Sequence, residues 1–156
     1  MIDYVAGFLL SPDRSQVALV RKAKPAWQVG RWNGVGGKIE EGETPMAAMV
    51  REYWEEAGVM TWPLQWQHRV TLSFNGGRVY FFLGFSEQVT LTRTAHHEVE
   101  PVQAHQLSQL ANIPLMQNLR WIIPLCMDAD IRGPVEITDV RTPATNGTAV
   151  REKQSA

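Results

Sequence analysis

The feature that most constrains this chain is the stretch from Gly36 to Val59, which predicts a glycine turn, a short loop and one helix. Thr44 is a suitable N-cap, Pro45 suits the first helical position, and Gly58 suits the helix stop. Apolar side chains recur between them at helical spacing and predict a core-facing side: Met46, Met49, Val50, Tyr53 and Ala57. The sequence therefore predicts an amphipathic helix directly after a glycine turn.

The opposite side of this predicted helix carries a cluster of carboxylates. Glu52, Glu55 and Glu56 lie at i, i+3 and i+4, so their side chains share one side. Like charges at this spacing cost about 0.2–0.5 kcal/mol per pair, and Arg51 offsets only part of that. A lone acidic helix face is usually just solvated. Here a hard divalent metal such as Mg²⁺, which takes carboxylates, waters and substrate phosphates as ligands, would supply the missing charge.

The glycines, glutamates and arginine together follow the pattern GX5EX7REUXEEXGU, in which U is a bulky apolar residue. The matching positions are Gly37, Glu43, Arg51, Glu52, Tyr53, Glu55, Glu56, Gly58 and Val59. This pattern resembles the Nudix box of the Nudix hydrolases, and the resemblance extends over residues 3–128. Tyr53 departs from the family, which more often has an aliphatic residue there, but it still buries a large apolar surface.

The resemblance implies an α/β fold, the Nudix fold, in which a mixed sheet lies between helices as an α/β/α sandwich. It also implies hydrolysis of a nucleoside diphosphate linked to another group, with Mg²⁺ or Mn²⁺ as cofactor. By position, Glu52 and Glu56 are metal ligands, and Glu55 is a third ligand or the base. Water attacks phosphorus in line, so no Ser, Cys or His nucleophile is required.

The same resemblance assigns further residues around the box. The backbone carbonyl of Gly36 or Gly37 is a further metal ligand, and Arg51 forms an ion pair with Glu43 that joins loop and helix. Glu98 matches an extra glutamate that many members bring from another loop. The resemblance leaves three candidates for the catalytic base: Glu52, Glu55 and Glu98.

The segment before the glycines narrows the substrate. Trp32-Asn33-Gly34 resembles the same tripeptide in MutT-like 8-oxo-dGTP diphosphatases, and an Asn amide presents a donor and an acceptor that suit a purine edge. Asn118 matches the base-reading Asn of bacterial members, although it could instead be a simple N-cap. The candidate substrate-binding residues are Asn33, Lys38, Trp32, Trp27, Phe74, Asn118 and Lys24.

The remaining segments predict a single domain over residues 1–140. Strands are predicted at 4–10 and 16–20 as one hairpin, at 64–74 and 78–86 around an Asn-Gly-Gly turn, at 99–102, and at the edge of the sheet over 135–138. A short turn is predicted at 107–110 and a final helix at 118–127. Residues 141–156 are small, polar and aperiodic, so a disordered tail is expected there.

Composition limits the partners. The chain has 15 Lys+Arg and 16 Asp+Glu, so no global field favours duplex nucleic acid or an anionic membrane. No signal peptide or membrane span is visible, and the single cysteine, Cys126, fits a reducing cytosol. We therefore expect a cytoplasmic protein, monomeric or homodimeric, that binds a small nucleotide.

Three functions remain open from the sequence. The leading hypothesis is cleavage of a nucleoside triphosphate to monophosphate and pyrophosphate. A second keeps this chemistry on a nucleotide-sugar, a dinucleoside polyphosphate or a capped RNA end. A third is a catalytically silent nucleotide-binding module, but such modules typically lose box glutamates and this chain keeps them all.

Overall fold

The computed structural model describes residues 1–95 and 100–140, which form one mixed sheet of eight strands and two α-helices. The strands are β1 (Ile2–Leu10), β2 (Gln16–Arg21), β3 (Trp32–Asn33), β4 (Val35–Lys38), β5 (Trp66–Phe74), β6 (Gly77–Phe85), β7 (Val102–Gln106) and β8 (Val135–Thr138). The helices are α1 (Pro45–Ala57) and α2 (Leu119–Met127). Short 3-10 helices lie at Ala26–Gln28, Pro63–Gln65, Glu87–Leu91 and Leu107–Asn112.

The sheet runs in the order β3-β2-β1-β6-β5-β8, with β4 paired to β1 and β7 paired to β2. The β1–β6 and β5–β8 pairs are parallel and the others are antiparallel. Both predicted hairpins, β1–β2 and β5–β6, are present, and β8 lies at the edge of the sheet as predicted. The predicted mixed sheet is therefore confirmed.

The two helices cover opposite faces of this sheet because side chains alternate along β1. Val5 and Leu9 point to the side on which Met49 and Tyr53 of α1 are buried. Intervening residues, such as Phe8, point to the other side, where α2 buries its apolar face: Leu119, Ile122, Ile123 and Cys126. The predicted α/β/α sandwich is thus confirmed. No helix in the described part of the chain is long and apolar enough to cross a membrane.

The predicted glycine turn is wrong, because residues 36–37 belong to strand β4. Gly36 pairs with Ala6 and Gly37 with Val5, so β4 occupies the part of the β1 edge that β2 leaves free. A Cβ on Gly36 would overlap the carbonyl oxygen of Val5. Glycine is required here for close approach of two backbones rather than for a turn.

Three other predicted boundaries also differ. The strand expected from residue 64 begins at Trp66, since Pro63–Gln65 form a 3-10 helix. Of the strand expected at 99–102, residues 100 and 101 lie before β7, which runs over Val102–Gln106, because Pro101 has no N–H for the ladder with β2. The turn expected at 107–110 is the 3-10 helix Leu107–Asn112, which follows β7 directly.

Some predictions fall outside the described residues. These are the metal-binding and catalytic roles of Glu98, the start of the strand expected at Val99, and the tail expected at 141–156.

Candidate active site

The acidic residues of the candidate site are held by α1, whose two ends form as predicted. The Thr44 hydroxyl accepts a hydrogen bond from the backbone N–H of Ala47 at 3.1 Å, and Pro45 occupies the first turn. Gly58 ends the helix with a φ of 68°, and its N–H donates to the Trp54 carbonyl. Local sequence signals therefore fix where each glutamate lies along the helix.

Two of these glutamates turn toward the glycine strand β4. The Glu52 carboxylate lies 2.6 Å from where a Cβ on Gly37 would be. Oε2 of Glu56 accepts a hydrogen bond from the backbone N–H of Gly36 at 3.3 Å. Because residue 37 is glycine, the Glu52 carboxylate can lie against β4 where a side chain would otherwise be. Gly36 and Gly37 of β4 and Glu52 and Glu56 of α1 therefore form a single unit across the α1–β4 interface.

Glu52 is the more buried member of this unit, with its side chain 12% exposed. Burial raises the pKa of Glu52, and the neighbouring carboxylates of Glu55 and Glu43 raise it further. The Arg51 guanidinium lowers it in part. A desolvated carboxylate beside two others is a place where additional positive charge stabilises the ionised form.

Arg51 connects the acidic residues. Its Nε and Nη2 donate to Oε1 and Oε2 of Glu43, both at 2.8 Å, so the predicted loop–helix ion pair is present. Its Nη1 donates to Glu52 at 2.8 Å and to Glu55 at 3.1 Å, and Nη2 also donates to the Lys38 carbonyl. Hydrogen bonding to Arg51 lowers the pKa of Glu43. The carboxylates of Glu43 and Glu52 in turn raise the pKa of Arg51.

The donor chemistry of this unit fits a hard divalent cation, although the described residues contain no ready-made group of three His, Cys, Asp or Glu side chains for a metal. Glu52 and Glu56 converge on β4, whereas Glu55 is half exposed and is joined to Glu52 through Arg51. Mg²⁺ takes one or two carboxylates plus waters and substrate phosphates rather than a full protein cage. Two convergent carboxylates are consistent with that preference.

Several residues predicted to bind the substrate lie on β3 or in the loop before it. The Asn33 side chain accepts a hydrogen bond from the Gly34 N–H at 2.8 Å and donates to Oε1 of Gln28 at 3.4 Å. An amide can make four hydrogen bonds, so one donor and one acceptor position stay available for a ligand. Trp27 is 68% exposed, Lys24 is also exposed, and the Lys38 side chain points to solvent.

The chain segment before α2 lies alongside β3. The Trp32 N–H donates to the Pro114 carbonyl, and the Trp32 carbonyl accepts from the Met116 N–H, at 2.8 and 2.9 Å. The Trp32 ring is partly buried and meets His105 edge-on at 4.3 Å between ring centres. This pairing brings the segment that leads to Asn118 next to the strand that carries Asn33.

Asn118 does not cap α2 with its side chain. Its backbone is helical, no hydrogen bond joins the side chain to the first turn, and its Oδ1 is buried with no hydrogen-bond partner. A buried amide oxygen without a partner costs about 1–3 kcal/mol unless a ligand or water satisfies it. The geometry therefore argues against the side-chain N-cap that the sequence also allowed, and the base-reading role of Asn118 stays a prediction.

Phe74 lies opposite Gly77 at the end of the β5–β6 hairpin and is partly exposed. Its stacking role stays a prediction.

Sequence reasoning missed two residues near the predicted site. Gln28 contacts the Asn33 amide, and the buried carboxylate of Glu100 binds the chain at residues 22–24. No local sequence signal identified Glu100, because a glutamate is usually exposed and its burial here depends on distant donors.

Comparisons with known proteins agree with this geometry. The chain matches the model of the NUDIX domain family over residues 1–126. It is 31% identical over 128 residues to the oxidized purine nucleoside triphosphate hydrolase of Mus musculus, a match that covers 80% of this chain and 78% of that enzyme. It is 30% identical over 116 residues to the 8-oxo-dGDP phosphatase NUDT18 of Danio rerio, covering 73% of this chain and 34% of that protein.

A solved structure from work on MutT of Aliivibrio salmonicida and Vibrio cholerae is similar to this fold. The TM-score is 0.65 at 25% identity, over 80% of this chain and 96% of that chain.

Proposed function

The chain belongs to the NUDIX family and is a Nudix pyrophosphohydrolase, and on that premise we propose that it hydrolyses an oxidised purine nucleoside triphosphate. The products would be the nucleoside monophosphate and pyrophosphate. The observation that carries this substrate class is the 31% identity, over most of both chains, to the mouse enzyme named for it. Asn33, with one free donor and one free acceptor position, supports a purine edge as the recognised group.

We assign Glu52 and Glu56 as the carboxylates that would hold Mg²⁺ or Mn²⁺, with a carbonyl of Gly36 or Gly37 beside them. When bound, such an ion supplies positive charge that offsets the phosphate oxygens and lowers the pKa of coordinated water. The convergence of the two carboxylates on β4 supports this assignment. Glu98 remains a proposed additional ligand, on the basis of the family resemblance.

The protein side chains have separate tasks in this proposal. Glu55 is half exposed and stands outside the convergent pair, which suits acceptance of a proton from the attacking water. Glu52 and Glu98 are the other candidates for that base. Arg51 keeps three carboxylates in fixed positions, while Lys24 and Lys38 offer exposed cations to the phosphate chain.

The aromatic and amide residues bind the base. Trp27, Trp32 and Phe74 are the proposed stacking surfaces, and Asn33 and Asn118 the proposed hydrogen-bonding groups. The segment that leads to Asn118 is hydrogen-bonded to Trp32, next to Asn33 on β3, and this proximity supports the place of Asn118 in the set.

A second candidate substrate is an oxidised purine nucleoside diphosphate, which the similarity to the zebrafish 8-oxo-dGDP phosphatase favours. Water attack would then release the monophosphate and orthophosphate.

One experiment tests both candidates. The purified chain is incubated with Mg²⁺ and a panel of 8-oxo-dGTP, dGTP, dCTP, 8-oxo-dGDP, ADP-ribose and a dinucleoside tetraphosphate. Pyrophosphate and orthophosphate are measured separately, with Glu56→Gln as the blank. We expect 8-oxo-dGTP to give the highest kcat/KM and pyrophosphate as product. A wide preference for ADP-ribose or the dinucleoside polyphosphate would refute the proposal.

A further inference from the structure

The carboxylate of Glu100 is buried and binds one short chain segment. Its side chain is 7% exposed, and its Oε1 accepts a hydrogen bond from the Lys22 ammonium at 2.8 Å. Its Oε2 accepts from the backbone N–H groups of Ala23, and of Lys24 at 3.4 Å. Three donors therefore converge on a single carboxylate from three consecutive residues.

Both oxygens of the Glu100 carboxylate are bound by hydrogen-bond donors. The Lys22 ammonium binds Oε1, and the Ala23 N–H binds Oε2. A buried carboxylate with this partner set acts as a fixed attachment point, because each lost partner would leave charge unsatisfied. The neighbouring Pro101 carbonyl adds a further link by accepting from the Arg21 N–H at 2.8 Å.

The segment bound by Glu100 forms the beginning of the 22–31 loop, which carries residues proposed to bind the substrate. The loop is closed at its base by two backbone hydrogen bonds, Lys22 N–H to the Arg31 carbonyl and Gly30 N–H to the Lys22 carbonyl. Within it, Trp27 is exposed and Gln28 accepts from the Asn33 amide. Position and orientation of these groups thus depend on how the first residues of the loop are held.

We propose that Glu100 is a positioning residue that fixes the 22–31 loop in the conformation that binds the nucleotide. This inference rests on the proposed function, since it assumes that the loop contacts a nucleotide.

Charge and loop position predict opposite effects of a substitution at Glu100 on substrate affinity. Glu100→Gln removes a negative charge and frees Lys22 close to the expected triphosphate. On charge alone, a polyanionic substrate should then bind more tightly. If Glu100 positions the loop, the same substitution should weaken binding. The direction of the change in KM therefore distinguishes the two effects.

The test compares wild type, Glu100→Gln, Glu100→Asp and Glu136→Gln. Gln keeps the size of the side chain, but its amide cannot accept from the Lys22 ammonium and the Ala23 N–H with both atoms. Asp keeps the charge. Glu136 is an exposed glutamate on β8, so Glu136→Gln matches the change in net charge. Measurements are KM and kcat for the preferred nucleotide, and hydrogen exchange of the Ala23 and Lys24 amides without nucleotide.

We expect Glu100→Gln to speed exchange of these two amides and to raise KM by about tenfold, with kcat within about twofold of wild type. Glu100→Asp should recover part of the loss, and Glu136→Gln should behave as wild type. Unchanged exchange, an unchanged or lowered KM, or a fall confined to kcat would each overturn the proposal.

The hydrogen-exchange measurement needs no turnover and also reports whether the variant is folded. Absence of wild-type activity on the whole panel would refute the proposed function instead, so the two failures are distinguishable.

Discussion

Arg51 binds both carboxylate oxygens of Glu43, with Nε donating to Oε1 and Nη2 to Oε2, each at 2.8 Å. This paired geometry requires a planar guanidinium and cannot be reproduced by an ammonium group. The remaining N–H groups of Arg51 reach Glu52, Glu55 and the Lys38 carbonyl. A single side chain therefore connects the loop before α1, the helix itself and the glycine strand.

Replacing Arg51 by lysine should impair both turnover and stability. Lysine retains the charge but can serve only part of this set of acceptors, so Glu52 and Glu55 would lose their fixed positions. We expect kcat/KM to fall by at least about tenfold and the Tm to fall by a few degrees. Arg78→Lys is the matched control, because Arg78 donates to both oxygens of Asp3 in an exposed pair. Equal effects of the two substitutions would argue against a special role for Arg51.

The Arg51–Glu43 pair also predicts a pH dependence of stability. The pKa of Glu43 is lower in the folded protein than its ordinary value of 4.5. The pair therefore stabilises the fold fully above about pH 4.5, and this contribution is lost as pH falls through the lower folded pKa. We expect Glu43→Gln to lower the Tm by about 2–4 °C at pH 7, and the difference from wild type to shrink below pH 4.5. Thermal unfolding at several pH values measures the Tm difference between wild type and Glu43→Gln. A difference that does not change with pH would contradict a stabilising Arg51–Glu43 pair.

The adjacent glycines of β4 should respond differently to alanine. A Cβ on Gly36 would overlap the Val5 backbone, which cannot move aside cheaply. The three nearest atoms to a Cβ on Gly37 would all belong to the Glu52 carboxylate, the end of a flexible side chain. We expect Gly36→Ala to cost about 1–3 kcal/mol of stability. Gly37→Ala should leave stability nearly unchanged but reduce turnover by at least about tenfold, because Glu52 is displaced.

Chemical denaturation and steady-state kinetics on both glycine variants test this contrast. A Gly37→Ala variant with full turnover would show that the position of Glu52 against β4 is not needed for catalysis.

Glu56→Gln should lower turnover by about 10²–10³-fold, because a neutral amide is a poor ligand for Mg²⁺. The fold should persist, since the glutamine oxygen can still accept from the Gly36 N–H. Glu41→Gln, at an exposed position in the preceding loop, provides the same loss of charge away from β4. Kinetics at saturating Mg²⁺ and circular dichroism compare the three proteins. Wild-type turnover in Glu56→Gln would remove Glu56 from the proposed metal site.

Asn118→Ala should change base preference and leave stability almost unaffected. The Asn118 side chain makes no capping hydrogen bond, and its buried Oδ1 lacks a partner, so alanine removes nothing that stabilises the helix start. We expect the Tm to change by less than about 2 °C and the ratio of kcat/KM for 8-oxo-dGTP over dCTP to fall by about tenfold. Asn33→Ala should lower the same ratio. Unchanged ratios in both variants would mean that other residues select the base.

Signals that are local in the chain were readable from the sequence. Thr44, Pro45 and Gly58 fixed the ends of α1, because caps depend on residues within one turn. Alternation and turn residues identified the two hairpins, and the spacing of the box residues identified the family. The Arg51–Glu43 pair was predictable for the same reason, since the family pattern already contains both residues.

Contacts between distant segments needed the tertiary structure. A Gly-Gly pair suits a turn and a close strand pairing equally well, and only the free edge of β1 made residues 36–37 a strand. The helical spacing placed three glutamates on one side, but packing against β4 turned Glu52 and Glu56 inward and left Glu55 near solvent. Glu100 binds Lys22 and Ala23, which precede it in the chain by 78 and 77 positions. Such partners are chosen by the packing of β2, β3 and β7, because chain spacing carries no information about which distant donors a buried carboxylate will meet.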